Sequence, residues 1–166
     1  VLVGIETGDD VSLVELPVFI FSNANVGTGI TITASGYALT GSDAGKYTLV
    51  PPTLSANITA ATLTVTGLKG DNKVFDGTTV AAASGTPVLS GVVSGDNIVL
   101  EGTPVFTFKS AELGADIAIT TSGYSISGTE SGNYTLIQPT LSANITAAAL
   151  TITGITGSNK VYDGST

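Results

Sequence analysis

Residues 55–61, SANITAA, return as residues 142–148, LTVTG at 63–67 returns as LTITG at 150–154, and NKVFDG at 72–77 returns as NKVYDG at 159–164, each displaced by 87 positions. Residues 1–79 align with residues 88–166 without a gap, and more than half of the aligned positions are identical. Self-similarity at a fixed spacing marks an array of like units and constrains the chain more than any single residue does. A period of 87 residues exceeds the usual solenoid repeat and matches a small domain, which predicts beads on a string. The expected boundaries are a first repeat at 1–61 that lacks its opening strands, a complete second repeat at 62–148, and the opening strands of a third at 149–166. Methionine is absent even at position 1, so the segment is expected to be an internal part of a longer chain.

Within a repeat, apolar and polar residues alternate in short runs bounded by Gly, Asp, Asn and Pro, the pattern of half-buried strands. Thr, Val and Ile are frequent and nothing favours helices. Seven or eight short strands per period predict an all-β chain of tandem antiparallel β-sandwich domains, Ig-like, with an 87-residue repeat. Phe19 and Phe21, like Phe106 and Phe108, sit two apart and share a strand face. All ten aromatics fall in aligned pairs, as a core requires, so Phe19, Phe21, Tyr47, Phe106, Phe108 and Tyr134 are the expected structural core. No Gly or Pro lies between Ser55 and Thr66, which predicts a short, stiff junction between repeats and hence a rod.

With no histidine and no cysteine, Ser-His-Asp, Cys-His and thiolate-zinc chemistry are excluded, as is a disulfide framework. The recurring acids, Asp9 with Asp96, Asp43 with Glu130 and Asp76 with Asp163, all stand beside turn glycines, where acids usually shape turns; no catalytic residue and no cofactor is expected. Loop carboxylates could hold a structural calcium, but Gly-Asp-Asp becomes Gly-Asp-Asn in the second repeat and no Asp-x-Asp-x-Asp run occurs. A net charge of −8, with five lysines and no arginine, argues against nucleic acid and anionic lipid. No run reaches the length of a transmembrane helix, so no membrane insertion is expected. Asn57, Asn133 and Asn144 fit the N-glycosylation acceptor pattern. The recurring Lys73 and Lys160 are read as snorkelling or pairing with Asp76 and Asp163 rather than forming an isopeptide crosslink.

The segments KVFDGTT at 73–79 and KVYDGST at 160–166, followed by Gly-x-Asp/Glu-x-Gly-x-Tyr-Thr-Leu and Ala-Asn-Ile-Thr, resemble the YDG repeat domains of large bacterial surface adhesins, including filamentous-haemagglutinin-like proteins. The resemblance covers the whole chain, and Phe75 departs from the tyrosine of the signature. It implies an extracellular tandem β-domain on the bacterial cell surface, a structural stalk or fibre module whose partners are neighbouring copies placed head to tail. Two other functions compete with it. One is a filament subunit that polymerises by strand donation, with Leu150, Ile152, Val161 and Tyr162 as the donated residues. The other is a carbohydrate-binding module acting through its loops.

Overall fold

A computed structural model describes all 166 residues. The chain is nearly all β, with no α-helix and two single-turn 3-10 segments, Ala44–Lys46 and Ser131–Asn133. No helix is long and apolar enough to cross a membrane. The strands in order are β1 (Ser12–Phe21), β2 (Gly27–Thr40), β3 (Leu54–Ile58), β4 (Ala61–Gly70), β5 (Lys73–Val74), β6 (Ala83–Ser90), β7 (Val99–Phe108), β8 (Gly114–Ser127), β9 (Tyr134–Ile137) and β10 (Thr140–Thr146). They form three sheets with orders β1-β2-β3, β6-β4-β9 and β5-β10-β8-β7. Two compact units result: Val1–Thr64 with Leu89–Glu101 and Ser125–Ile137, and Val65–Val88 with Gly102–Tyr124 and Gln138–Thr166.

In the first unit β1 and β2 pair antiparallel from Ser12↔Thr40 to Phe21↔Ile32, with a register shift between Glu15 and Val18. Pro17 lies in that shift because it has no N–H to give to a ladder. Gly36 sits opposite at φ 81°, and a Cβ there would lie 2.0 Å from the Leu16 carbonyl oxygen, so only glycine allows the bulge to close. Ile30 and Ala34, at period-2 spacing on β2, are buried. In the same unit residues 61–64 of β4 pair parallel with β9, Ala61↔Tyr134 to Thr64↔Ile137, and Leu63 is completely buried.

The second unit is built on Phe108, Ile119, Ala143 and Ile145, with Ala81, Phe106, Ile117 and Leu141 packed around them. β10 pairs antiparallel with β8 and parallel with β5, through Ile145↔Lys73 and Thr146↔Val74. Residues 79–81 close over β7: the Phe108 N–H donates to the Thr79 carbonyl at 2.8 Å and the Ala81 N–H donates to the Phe106 carbonyl at 3.1 Å.

The sheets therefore depart from the purely antiparallel expectation. Both parallel pairs join segments more than 70 residues apart in the chain, β4 to β9 and β5 to β10, and such a pairing needs a long crossover that the intervening strands supply. Residues 147–166 carry no strand and are exposed throughout.

Candidate functional site

Two tyrosine corners stand out in the first unit. The Tyr47 hydroxyl donates to the Asp9 carboxylate at 2.6 Å and accepts the Glu6 N–H at 3.0 Å. The Tyr134 hydroxyl likewise donates to the Asp96 carboxylate and accepts the Val93 N–H at 3.0 Å. Every partner in the second corner lies 87 positions after its counterpart in the first. The neighbouring carboxylate pushes each phenol above the ordinary tyrosine range, because ionisation places two negative charges on one hydrogen bond.

Beside each corner a second acid caps the adjoining turn. Asp43 accepts the Asp10 N–H at 3.0 Å and Glu130 accepts the Asn97 N–H at 2.9 Å. Lys46 bridges Asp9 and Asp43 at 3.0 and 2.7 Å, and holds the Asp43 carboxyl below the usual range while its own ammonium is raised. Asn133 stands 87 positions after Lys46, and there the Asn97 N–H is the main influence lowering Glu130. Asn133 makes a different contact: its Oδ1 accepts the Val26 N–H at 2.9 Å and its amide donates to Asn25 Oδ1 at 3.2 Å.

The Lys-Val-Phe/Tyr-Asp-Gly segments form a closed turn. Lys73 reaches Asp76 at 2.7 Å and donates to the carbonyls of Thr78 and Val80, while Asp76 accepts the Thr78 N–H and hydroxyl. These donors, Lys73 foremost, hold the Asp76 carboxyl down at about 2. Lys160, Asp163 and Ser165 repeat the turn, again lowering the acid. Lys73 Nζ also lies 5.8 Å from the centroid of the Phe108 ring, a cation–π distance. All these acids shape turns, and no cluster of three or more could hold a metal ion.

The expected core residues divide by what covers them. Phe108 is 1% exposed and Tyr134 is buried, whereas Tyr47 and Phe106 are half-buried. Phe19 and Phe21, expected inside, are 52% and 39% exposed. Phe108 is covered by Lys73 and by the bonded segment at 79–81. Leu150, Ile152, Val161 and Tyr162 are all more than four-fifths exposed. The remaining apolar feature of the first unit is an open groove of about 540 Å³, lined among others by Val1, Val3, Leu13, Leu39, Leu49 and Val50.

Sequence reading missed the groove and the Asn25–Asn133 pair. The signal for the pair was weak, since neither residue recurs 87 positions away: the counterparts are Glu112 and Lys46. The three candidate glycosylation asparagines each accept a backbone N–H through their side-chain oxygen: Asn57 from Gly29, Asn133 from Val26 and Asn144 from Asp116.

Strand-dominated units whose turns are closed by hydrogen-bonded acids define an all-β class of domain. The family model of the YDG domain matches residues 1–56 and 59–143, and the chain belongs to the YDG domain family. No curated protein and no solved structure matches it.

Proposed function

We propose that this chain is a stalk or fibre module of an extracellular bacterial adhesin or surface filament. In this reading Ig-like sandwich modules succeed one another at 87-residue intervals, with boundaries near residues 61 and 148, and stack head to tail as a stiff rod. Its role is to extend and to bear load, with no catalytic step and no cofactor.

The observation that carries the proposal is the recurrence of one hydrogen-bond scheme at equal offset. Tyr47–Asp9 and Tyr134–Asp96, Asp10–Asp43 and Asn97–Glu130, and Gly29–Asn57 and Asp116–Asn144 are three bonds written twice. Repeated turn chemistry serves a chain that must adopt one conformation many times over. Further support comes from the connector, since β3 ends at Ile58 and β4 begins at Ala61, leaving little chain to swivel. YDG membership adds to it.

Small-angle scattering on tandem fusions of two, four and six periods tests the reading. A maximum dimension that grows in proportion to the number of periods supports a rod. Growth close to the square root of that number, the behaviour of a flexible string, refutes it.

A further inference from the structure

Residues 72–81 of the second unit are tied to both edges of its four-stranded sheet. In the order β5-β10-β8-β7 the outer strands are β5 and β7. At the first edge β5 runs parallel to β10 through Lys73↔Ile145 and Val74↔Thr146. Around that pair the Asn144 N–H donates to Asn72 Oδ1 and the Phe75 N–H to the Thr146 carbonyl, both at 2.8 Å, while the Thr146 hydroxyl donates to the Lys73 carbonyl at 3.4 Å. At the other edge residues 79–81 bond to Phe106 and Phe108 of β7, with Val80 bridged to Thr107. Ala81 packs against the core that the sheet encloses.

Between the two edges the segment is held by its own lysine. The Lys73 side chain is only 16% exposed, and its ammonium pairs with Asp76 at 2.7 Å and donates to the Thr78 and Val80 carbonyls at 2.8 and 3.0 Å. An ammonium has three N–H donors, and these acceptors leave none free. Lys73, at the β10 edge, is thereby bonded to Val80, the residue that meets β7. Gly77 lets the chain reverse between them at φ 75°, a conformation that residues bearing a side chain rarely adopt.

The direction of the β5–β10 pairing decides what tension does to it. In an antiparallel hairpin the entering and leaving ends lie together, so pulling on them peels the ladder one bond at a time. In a parallel pair the chain enters the first strand at one end and leaves the second at the opposite end. Tension then draws β5 and β10 past each other and loads every bond between them at once.

From these contacts, and resting on the reading of the chain as a module that bears load, we propose that residues 72–81 are a shear strap. Tension carried along the chain acts on the bonds between residues 72–75 and 144–146 together, and the Lys73 staple keeps the strap from sliding out of register. The Lys-Val-Phe-Asp-Gly signature acquires a mechanical role for each part. Lys73 and Val74 are the sheared strand, Asp76 and Thr78 fix the lysine, and Gly77 returns the chain toward β7.

The chain has no cysteine, so introduced cysteines fix where force is applied. Single-molecule lifetimes at constant force are measured with handles on Asp71→Cys and Ala147→Cys, which shear β5 against β10. They are compared with handles on Glu112→Cys and Ala147→Cys, which lie at one end of the antiparallel β8–β10 pair and peel it. Forced unfolding reads the unfolding rate, and the sheared lifetime is expected to be at least about tenfold longer than the peeled lifetime at the same force. Lys73→Met is expected to shorten the sheared lifetime by about tenfold or more and the peeled lifetime by much less. Asn72→Ala removes only the bond from Asn144 and is expected to act in the same direction, so the test does not depend on Lys73→Met folding. Equal lifetimes in the two directions overturn the strap. A loss that is the same in both directions for both variants makes these residues ordinary stabilising contacts and overturns it likewise. The force lifetimes read one unit, whereas the scattering of tandem fusions reads the spacing of many, so failure of the strap and failure of the rod are separable.

Discussion

Leu63 and Leu150 are one residue of the repeat in two environments, and truncating each to alanine separates the contribution of the environment from that of the sequence. Leu63 is fully buried, so Leu63→Ala removes its transfer free energy and leaves a cavity, a combined cost of about 3 kcal/mol. In a cooperative unit of this size each kcal/mol shifts Tm by about 4–8 °C, which predicts a fall of roughly 12–24 °C. Leu150 is 97% exposed, so Leu150→Ala in dilute solution changes stability by less than about 0.5 kcal/mol. The assay is urea unfolding at low protein concentration, followed by circular dichroism, with the slope of the transition compared between variants. Leu63→Ala is expected to move the midpoint at constant slope, and Leu150→Ala to leave both unchanged. A similar loss in the two variants would show that residues 148–154 are already buried in the single chain and would refute the reasoning.

Thr121 is 8% exposed and its hydroxyl has no hydrogen-bond partner, so Thr121→Val is expected to stabilise the second unit by about 1 kcal/mol, read as a raised urea midpoint. The Asp76 carboxyl is held at about 2 against an ordinary 3.8, so its contribution is present above pH 3.8 and is lost as pH falls through about 2; carboxyl NMR titration should place its midpoint near that value, and Lys73→Gln should raise it. Tyr47 and Tyr134 are shifted upward from 10.0, so their contribution is complete below pH 10.0 and is lost as pH rises through their folded values; ultraviolet titration of Asp9→Asn and Asp96→Asn should bring the respective phenol back down.

Alternation and turn residues made the strand content legible, and the recurrence of KVFDG as KVYDG made the Lys–Asp turns legible, because these features act over a few residues. The Asp9–Tyr47 and Asp96–Tyr134 bonds span 38 residues, and the sequence offered their members separately, as turn acids and as core aromatics. The antiparallel expectation holds for β1–β2, β2–β3 and β8–β10, but the two parallel pairings were not legible. An alternating run has the same pattern whether its neighbour is parallel or antiparallel, and the partners of β4 and β5 lie far along the chain. Nor could Val-Phe-x-Phe reveal its own burial: what encloses Phe108 is Lys73 and the segment at 79–81, contacts that the strand's own alternation does not encode.

Small-angle scattering on tandem fusions of two, four and six periods tests the central claim most directly. A maximum dimension proportional to the number of periods is the predicted result, and growth close to the square root of that number would contradict it.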